Sequence, residues 1–426
     1  MQILRKGSIG SEVEMLQLGL ERAGFYDQKI DGIFGSYTES SVKRFQSANR
    51  LTADGIVGRL TLNALSPYLK GYTSHVVVRG DTFWRLAGKY GTTIEAIRTA
   101  NPNINQFNLT IGSRLIIPFG FSVVPTNISY SSALTRYICE GLSVIYPFVN
   151  NSTIGQSEMG QSLNLLSIGR GNTEFFYGAA FHANEWITTP VLLKFIEEYA
   201  KAYSENKEIF GVNANALFET TKLYIVPLVN PDGVDLATKA LTEGRFYNQA
   251  VKYANDYPNI PFPDGWKANI NGVDLNLQFP AGWENAKEIK FSQGYVSPAP
   301  RDYVGAAPLN QKESKAVYNF TLRNNFRLIL AYHTQGEIIY WKYDDFNPEN
   351  SYNIGREFER VSGYVLENTP YSSGFAGYKD WFIQNYNLPG YTIECGLGSN
   401  PLPISQFDKI YSDNLGILVT ALLQKI

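Results

Sequence analysis

The stretch Phe181-His182-Ala183-Asn184-Glu185-Trp186 places a histidine and a glutamate three residues apart, at the end of a predicted strand from Glu174 to Phe181. A His-x-x-Glu spacing by itself is a weak signal, because it often arises by chance. Histidine is scarce in this chain, however, with three in 426 residues. A neutral imidazole is a common zinc ligand, and catalytic zinc sites usually have three protein ligands and one open position. The stretch therefore points first to a metallohydrolase.

Three further apolar runs end at polar side chains, as the first run does at His182. The runs and the groups that follow them are Lys222 to Leu228 with Asn230-Pro231-Asp232-Gly233, Phe326 to Tyr332 with His333, and Tyr391 to Ile393 with Glu394. Strands that alternate with helices predict an α/β sheet. Because ligands of open α/β sheets bind outside the carboxyl ends of the strands, one crevice can collect all four groups.

These motifs together resemble the zinc carboxypeptidase family over most of residues 125–426. The similarity includes Gly272-Val273-Asp274-Leu275-Asn276 and Tyr391-Thr392-Ile393-Glu394, in order and spacing, besides the His-x-x-Glu pair and the distant histidine. The resemblance implies a zinc-dependent peptidase of α/β fold with a mixed central sheet. We expect this catalytic domain to occupy residues 121–426.

The resemblance also implies roles for individual residues. His182, Glu185 and His333 would bind zinc, with water completing the coordination. Glu394 would be the general base, which takes the proton of the water and returns it to the leaving nitrogen. Asp274 would hold the second ring nitrogen of His182 and so fix its tautomer. The alternatives are a strand-end carboxylate paired with a cation for Glu394 and an ordinary turn aspartate for Asp274.

Several positions depart from the family pattern. Asn276 keeps the family's asparagine, but Leu277 stands where an arginine grips the carboxylate of the substrate, and Asn184 replaces an arginine between the first two ligands. We expect Asn276 and Asn184 to contact substrate. Lys267 stands where an oxyanion-stabilising arginine is expected; it can donate as a point charge but without a bidentate fork, and the alternative is a solvated surface lysine. Tyr371 corresponds to a substrate-contacting tyrosine, unless it is one ordinary tyrosine among 28.

The first 65 residues contain a short internal repeat. The stretch Asp31-Gly32-Ile33-Phe34-Gly35-Ser36-Tyr37-Thr38 recurs 23 residues later as Asp54-Gly55-Ile56-Val57-Gly58-Arg59-Leu60-Thr61. Each copy predicts an Asp-Gly turn that leads into a helix capped by the threonine. Apolar residues at helical spacing flank the first copy, at Val13, Leu16, Leu20 and Ala23 before it and at Val42 and Phe45 after it. A three-helix module within residues 1–70 is expected, and with Leu16-Gln17 and Phe45-Gln46 it resembles the peptidoglycan-binding-1 domain family.

A second small module follows the linker from Ser66 to Thr73. The pattern predicts a strand at His75-Val76-Val77-Val78, a turn and helix cap at Gly80-Asp81-Thr82, two helices, and a closing strand at Leu115-Ile116-Ile117-Pro118. This βααβ order within residues 71–120 resembles the LysM domain family. The resemblance implies binding to N-acetylglucosamine-containing glycans such as peptidoglycan. His75, the third histidine, is expected to be structural.

Composition narrows the class of protein further. A chain of 426 residues exceeds one ordinary core, so two or three domains are expected. No apolar stretch reaches the roughly 18 residues of a membrane span, so membrane insertion is not expected. Residues 1–118 carry 14 basic and 9 acidic side chains, against 23 and 30 in the remainder. This mildly basic front end suits a polyanionic cell wall, but the excess is too small to argue for nucleic acid.

The stretch from Phe181 to Pro190, with the two wall-binding modules, most resembles the γ-D-glutamyl-meso-diaminopimelate peptidases of spore-forming bacteria. The resemblance implies cleavage of peptidoglycan stem peptides and muropeptides between D-Glu and diaminopimelate. Leu277 argues against trimming of ordinary L-peptides. Two alternatives stay open: an exopeptidase that uses another cation in place of the missing arginine, and a non-catalytic wall-binding protein.

The expected location follows from the same resemblance and from the beginning of the chain. The residues from Met1 to Gly7 lack the apolar region of a secretory signal. Cys139 and Cys395 are the only cysteines, so no disulfide framework supports the fold and a reducing compartment is acceptable. We therefore expect a cytoplasmic protein of a sporulating bacterium, with cell-wall association as a further possibility.

Overall fold

The computed structural model describes residues 3–424, and the contacts between residues divide the chain into two compact units. The first unit consists of Met1–Ile128 with Ala133–Asn150, and the second of Ser129–Ser132 with Asn151–Ile426. Each predicted N-terminal module has a hydrophobic core of its own within the first unit. The three domain boundaries predicted from the sequence stay predictions.

The first module contains three helices, as its repeat predicts: α1 (Ser11–Arg22), α2 (Ser36–Ala48) and α3 (Arg59–Lys70). Their apolar stripes meet in one core, to which Leu16 and Phe45 contribute fully buried side chains. The helical spacing read from the sequence therefore marks the buried faces of the helices.

Two buried glutamines, Gln17 and Gln46, organise the two copies of the repeat in the same way. The Gln46 amide nitrogen donates to Asp54 Oδ1 at 2.9 Å and to Thr61 Oγ1 at 3.2 Å, and its carbonyl oxygen accepts from Gly55 N at 2.9 Å. Gly55 has a φ of +79°, a left-handed conformation that favours glycine. Gln17 makes the equivalent hydrogen bonds in the first copy.

The threonines of the repeat do not cap the helices, so this expectation is wrong. Thr38 and Thr61 lie inside the first turns of α2 and α3, and each hydroxyl accepts from a buried glutamine amide. The N-cap positions are occupied by Gly35 and Gly58, which have no side chain to donate or accept. The hydroxyls are instead needed as acceptors, because an unpaired buried amide would be costly.

The second module has the predicted βααβ order. Its strands β1 (Tyr72–Val76) and β2 (Arg114–Pro118) pair antiparallel, and α4 (Phe83–Tyr90) and α5 (Ile94–Ala100) lie between them in sequence. Thr82 caps α4 as expected, because its hydroxyl accepts from the backbone N–H of Arg85 at 3.1 Å.

His75 is held inside this second module. Its Nε2 lies 2.7 Å from Asp81 Oδ2 and its Nδ1 lies 3.0 Å from the Tyr90 hydroxyl. Both ring nitrogens are therefore occupied by protein groups, in agreement with the structural role expected for this histidine.

The segment after the second module also packs within the first unit. Lys70 Nζ lies 2.6 Å from Glu140 Oε1 of the helix α6 (Ser132–Ile145). Arg22 donates to the backbone oxygen of Ser122 at 2.8 Å. Residues 121–128 and 133–150, which the sequence pattern groups with the catalytic domain, therefore pack with the N-terminal modules in the first unit.

The second unit is built on an eight-stranded mixed sheet. The remaining strands are β3 (Asn150–Gln156), β4 (Ser162–Ile168), β5 (Thr173–Ala179), β6 (Glu208–Ile209), β7 (Val212–Asn213), β8 (Thr221–Val226), β9 (Phe326–His333), β10 (Ile338–Tyr340), β11 (Val365–Glu367) and β12 (Gly390–Glu394). The order in the large sheet is β11-β10-β12-β9-β5-β8-β4-β3, while β6 and β7 form a separate antiparallel pair. The four central strands β12, β9, β5 and β8 run parallel to one another.

The second unit also contains the helices α7 to α15. They are α7 (Thr188–Ser204), α8 (Ala214–Thr220), α9 (Pro231–Ala237), α10 (Gly244–Asn255), α11 (Trp283–Ser292), α12 (Lys312–Leu322), α13 (Ser351–Ser362), α14 (Tyr378–Tyr386) and α15 (Phe407–Leu422). Among the helices of residues 3–424, none has the length and apolar character needed to cross a lipid bilayer.

Successive side chains of the central strands face opposite layers of helices. On one face, the Phe176 ring lies 5.6 Å from the Tyr378 ring of α14. On the other face, Tyr177 packs against Phe195 of α7 and donates to the backbone oxygen of Leu418 in α15 at 2.9 Å. The second unit is thus a three-layer α/β/α structure, as expected from the alternation of strands and helices.

The parallel direction of the four central strands places their carboxyl ends at one edge of the sheet. His182 and Asn230 follow β5 and β8, while His333 and Glu394 end β9 and β12. In the register of β9 and β12, His333 is paired directly with Glu394. The sheet therefore brings together the four strand ends that the sequence singles out.

The two cysteines lie in different units and are both free and fully buried. Cys139 lies in α6 within the first unit, and Cys395 follows β12 in the second. Burial raises the pKa of both thiols, which disfavours the reactive thiolate.

Candidate zinc site

The loop after β5 carries the first pair of polar residues to the edge of the sheet. His182 precedes a short 3₁₀ turn, Ala183–Glu185. Asn230, after β8, donates through its side-chain amide to the backbone oxygens of Phe181 and Ala268 at 3.2 and 3.1 Å. One buried side chain thus ties the loop of His182 to the loop that carries Lys267.

Three donor groups converge at this edge, from His182, Glu185 and His333. The Nδ1 atoms of the two histidines lie 3.2 Å apart. Glu185 Oε1 lies 2.9 Å from His182 Nδ1, and Glu185 Oε2 lies 2.9 Å from His333 Nδ1. Donors about 2.0–2.1 Å from a tetrahedral zinc lie roughly 3.3 Å from one another, so these spacings fit a zinc ion. It is the one group of three potential metal-binding side chains within residues 3–424.

Asp274 orients the first histidine from the far side of its ring. Its Oδ1 lies 3.0 Å from His182 Nε2 and also accepts from the backbone N–H of Asn276 at 3.0 Å. This contact favours a proton on Nε2 and leaves Nδ1 free to ligate. The Nε2 atom of His333, in contrast, is buried without a hydrogen-bond partner in the described part of the chain.

The electrostatics of the cluster favour a cation. Burial by itself disfavours a charged His182 ring, but the carboxylates of Glu185 and Asp274 outweigh burial and raise the pKa of His182 to about 9. Burial lowers the pKa of His333, so this ring stays neutral and able to ligate. The positive charge that a metal brings would take the place of the proton on His182, because metal ligands bind in their deprotonated forms.

Glu394 lines the same cleft, and its carboxylate takes part in no hydrogen bond described within residues 3–424. Burial, and next the negative charge of Glu185, raise the pKa of Glu394 to about 8. Glu394 and His182 both line this cleft, which has a volume of about 210 Å³. A partly buried carboxylate with a raised pKa beside a potential metal site is suited to accept and return a proton.

Lys267 is largely shielded from solvent, with its side chain 17 % exposed. Its ammonium nitrogen lies 3.0 Å from Glu185 Oε1. Although burial favours the neutral amine, the Glu185 carboxylate raises the pKa of Lys267 above its ordinary value. The alternative of a surface lysine is therefore wrong, because Lys267 lies in the cleft with its charge retained.

The remaining residues predicted from the sequence separate into two groups. Asn276 and Leu277 line the cleft. Asn184 is buried outside it, with its amide nitrogen donating to the backbone oxygen of Asp264 at 3.2 Å. Tyr371 is 73 % exposed, lines a neighbouring depression and packs against the ring of Phe375. The substrate contacts of Asn276, Asn184 and Tyr371 all stay predictions, and only Asn276 of the three lies in the cleft with His182.

Sequence reasoning did not single out several charged residues of the cleft. They are Lys290, Arg301, Asp302, Lys379 and Asp380. Arg301 and Asp302 stand in an irregular segment directly after Pro298-Ala299-Pro300, where no periodic pattern marks them. A charged pair after a rigid proline-rich stretch is the sole local signal that could have drawn attention to them.

Family models match three regions of the chain. The zinc carboxypeptidase model matches residues 139–416, the peptidoglycan binding domain model matches residues 9–65, and the LysM domain model matches residues 75–118. The first match covers more than half of the chain and contains every residue of the candidate zinc site.

Individual relatives agree with these matches. The chain is 42 % identical over 295 residues to gamma-D-glutamyl-L-diamino acid endopeptidase 1 of Lysinibacillus sphaericus, covering 69 % of this chain and 72 % of the relative. It is 43 % identical over 281 residues to the uncharacterized protein YqgT of Bacillus subtilis, covering 65 % of this chain and 73 % of that protein.

A solved structure supports the fold. Bovine thrombin-activatable fibrinolysis inhibitor in complex with tick carboxypeptidase inhibitor aligns with a TM-score of 0.54 and 20 % identity, over 70 % of this chain and 97 % of that chain. The likeness concerns the mixed sheet and its helices. With the family match and the three convergent donor groups, it leads to one conclusion: the chain is a zinc-dependent metallopeptidase and belongs to the zinc carboxypeptidase family.

Proposed function

We propose that the protein hydrolyses peptidoglycan stem peptides at the amide bond between γ-D-Glu and the L-centre of a diamino acid, with meso-diaminopimelate as the expected residue. The observation that carries the proposal is a zinc-peptidase cleft in which Leu277 stands in place of the arginine that would grip an ordinary C-terminal carboxylate. The relative of Lysinibacillus sphaericus, which is named for cleavage beside γ-D-Glu, supports the choice of bond.

The roles of the residues follow from their places in the cleft. His182, Glu185 and His333 would hold zinc, and Asp274 would keep the His182 ring in the ligating orientation. Zinc supplies Lewis acidity, which polarises the scissile carbonyl and makes water easier to deprotonate. Glu394 accepts a proton from the attacking water and delivers it to the leaving amine nitrogen of the diamino acid.

Lys267 would stabilise the negative charge that develops during the reaction. In hydrolysis the hydroxyl of water adds to the carbonyl carbon, negative charge forms on the carbonyl oxygen, and the C–N bond then breaks. A buried ammonium aimed at that oxygen would stabilise the charge, as a point charge without the two-pronged geometry of arginine. Its ion pair with Glu185 keeps it next to the proposed metal ligands.

The N-terminal modules fit the same substrate. Their family matches support binding to peptidoglycan. We propose further that the LysM module binds N-acetylglucosamine-containing glycan, that soluble muropeptides are substrates, and that the protein works on wall material of sporulating cells. A tethered active site would meet stem peptides at a raised local concentration.

Mass spectrometry of products tests the proposed bond. The zinc-loaded protein is incubated with L-Ala-γ-D-Glu-meso-diaminopimelate, with the corresponding L-Lys tripeptide, and with a hippuryl carboxypeptidase substrate. We expect L-Ala-D-Glu and free diaminopimelate from the first, and a kcat/KM on the hippuryl substrate that is far lower. Cleavage of the hippuryl substrate with equal or higher kcat/KM would favour the exopeptidase, and zinc binding without hydrolysis of any substrate would favour a non-catalytic binder.

A further inference from the structure

Three lysines and one arginine line the cleft, and the ammonium groups of the three lysines already have partners. Lys379 is 3 % exposed, and its ammonium group contacts the backbone oxygen of Lys342 at 2.7 Å, the Thr369 hydroxyl at 3.1 Å and Asp380 Oδ1 at 2.6 Å. An ammonium has three N–H donors, so these contacts use its full capacity. Lys379 therefore stabilises the wall of the cleft and has no donor left for a ligand.

Two further lysines are also engaged. Lys267 is paired with Glu185, as described above. Lys290 contacts Asp302 Oδ1 at 2.7 Å, and its side chain is 12 % exposed. Neither lysine can replace the arginine that is missing at Leu277, because a lysine offers a point charge instead of two parallel N–H donors to a carboxylate.

Arg301 differs from the three lysines. Its side chain is 43 % exposed and lines the cleft, and its Nε lies 2.5 Å from Asp302 Oδ2. Within residues 3–424, no hydrogen-bond partner is found for its two terminal amino groups. These groups carry four of the five N–H donors of a guanidinium, and their planar geometry matches a carboxylate.

The Asp302 carboxylate does not saturate the cations beside it. Asp302 contacts both Lys290 and Arg301, so these three side chains carry one net positive charge, and the Asp274 carboxylate acts on Arg301 through space without a hydrogen bond to its guanidinium. Although burial opposes it, contact with these cations lowers the pKa of Asp302, which therefore stays ionised. A bound carboxylate would neutralise the group.

The backbone of Arg301 is fixed to the loops of the proposed catalytic residues. On one side, the backbone oxygen of Pro300 accepts from Lys267 N at 2.8 Å. On the other side, Asp274 N donates to the backbone oxygen of Tyr303 at 2.8 Å. Arg301 therefore keeps a constant position relative to Lys267 and Asp274, as a specificity-determining residue requires.

We propose that Arg301 binds a free carboxylate of the stem peptide through its two terminal amino groups and thereby supplies the recognition that Leu277 cannot. The inference rests on the proposed function. A γ-D-Glu-diamino acid peptide offers this carboxylate chemistry in two places, the α-carboxylate of D-Glu on one side of the scissile amide and the carboxylates of the diamino acid on the other.

A cycle of variants and amidated substrates tests the proposal with the full-length, zinc-loaded protein. The variants are Arg301→Gln and Arg301→Lys, and the substrates are the parent tripeptide, its D-Glu α-amide and its diamino-acid amides. We expect Arg301→Gln to lower kcat/KM on the parent about tenfold to a hundredfold, as loss of a charge-assisted contact implies. Arg301→Lys should lie between this variant and the wild type, since it keeps the charge and loses the fork.

The amides distinguish recognition from a structural role. Amidation of the carboxylate that Arg301 binds should lower kcat/KM of the wild type to a similar extent and cause little further loss in Arg301→Gln. Whichever amide behaves in this way identifies the carboxylate. Equal fold losses in wild type and Arg301→Gln for every amide would overturn the proposal, even if the variant is less stable.

Arg170→Gln is the matched control. Arg170 also contacts one carboxylate through Nε, that of Glu219 at 2.6 Å, but it is largely exposed and lies outside the cleft. We expect its kcat/KM on all substrates to equal that of the wild type. Unchanged kcat/KM in Arg301→Gln, with the parent still cleaved by the wild type, would overturn the role of Arg301 and leave the proposed function intact. A wild type that leaves the parent uncut would overturn both.

Discussion

Two histidines that share one site stand in unequal surroundings. The His182 ring is held on its far side by Asp274, whereas the far nitrogen of His333 has no partner in the described part of the chain. The Thr334 backbone N–H donates to Glu185 at 3.3 Å, so the chain next to His333 helps to hold the shared carboxylate. His182 and Glu185 share the loop after β5 whereas His333 ends β9, so loss of the His333 side chain should leave the other two donor groups in place.

The first prediction concerns the metal. His333→Ala should lose stoichiometric zinc, because two remaining ligands bind the ion far more weakly than three. His75→Ala is the control, since His75 contacts Asp81 and Tyr90 and is not part of the cluster. Elemental analysis of the purified proteins measures the outcome. Full zinc occupancy in His333→Ala would remove this residue from the ligand set.

The second prediction separates proton transfer from metal binding. Glu394→Gln should keep its zinc while kcat falls roughly 10²–10⁴-fold, because an amide cannot accept the proton of water. The buried Glu313→Gln is the matched control, as Glu313 does not line the cleft. Metal content and kcat on the stem tripeptide are measured together. A near-normal kcat in Glu394→Gln would exclude it as the general base.

The scarcity of histidine in this chain makes the candidate metal ligands recognisable from the sequence. His182 and His333 stand out because the chain has three histidines in all, and the structure places the two within one cluster. Arg301 could not be found in this way, because arginine is common and its importance depends on which of its N–H donors remain unpaired in the fold. Tyr371 is the opposite case: one of 28 tyrosines, it is indicated by its distance along the chain alone, and its role stays a prediction because it lines a depression next to the cleft.

At the level of elements, hydrophobic runs predicted the central strands closely. The run from Glu174 to Phe181 corresponds to β5 (Thr173–Ala179), and the run from Phe326 to Tyr332 corresponds to β9 (Phe326–His333). Central parallel strands are buried on both faces, so their sequences are continuously apolar and easy to detect. The first residues of helices are harder to predict. Thr38 resembles an N-cap in the sequence, but its hydroxyl accepts a hydrogen bond from the buried Gln17 amide in the fold.

Two helices of the second unit begin with buried carboxyl groups. Asp232 lies in the first turn of α9 and Glu313 in the first turn of α12. Burial, with the other acid as a further cause for Glu313, raises the pKa of Asp232 to about 6 and that of Glu313 to about 8. At neutral pH, Glu313 therefore holds a proton that the unfolded chain would release.

The third prediction follows from this proton. A native pKa near 8 against an ordinary 4.5 means that the folded state binds more protons between these values, so stability falls as pH rises through them. Glu313→Gln mimics the protonated acid and should flatten this decline. Urea midpoints at pH 5.5 and 8.5, read by tryptophan fluorescence, test it, since five of the six tryptophans lie after residue 150. Parallel declines in both proteins would contradict the assignment.

At the scale of the whole molecule, wall binding and catalysis are assigned to different parts of the chain. The order of three modules could be predicted because each has its own local signature: a repeat, a βααβ pattern and a series of strand-end motifs. The boundary after residue 120 stays a prediction. Residues 121–128 and 133–150 belong to the first unit, where Glu140 contacts Lys70, and no periodic pattern in the sequence indicates such a contact.

The fourth prediction uses two exposed aromatic residues of the LysM module. Trp84 and Phe107 are 73 % and 90 % exposed, so their replacement should leave the fold intact. The double variant Trp84→Ala/Phe107→Ala should bind insoluble peptidoglycan several-fold more weakly, because flat apolar rings offer contact area to a sugar face. Pull-down with sacculi measures binding, and kcat/KM on the soluble tripeptide should be unchanged. Tyr352→Ala, an exposed aromatic of α13, is the control, and equal loss in both would contradict the prediction.

Each compact unit contains one buried cysteine, which can serve as a chemical probe of the opening of that unit. Neither thiol can meet a labelling reagent until the structure around it opens, so the rate of labelling reports how often that unit opens. Labelling of Cys139 reports opening of the first unit, and labelling of Cys395, next to the proposed base, reports opening of the second. Two variants, each with one of the cysteines replaced, allow the labelling rate of the other cysteine to be measured alone. Comparison of the two rates shows whether the two units unfold together or one at a time.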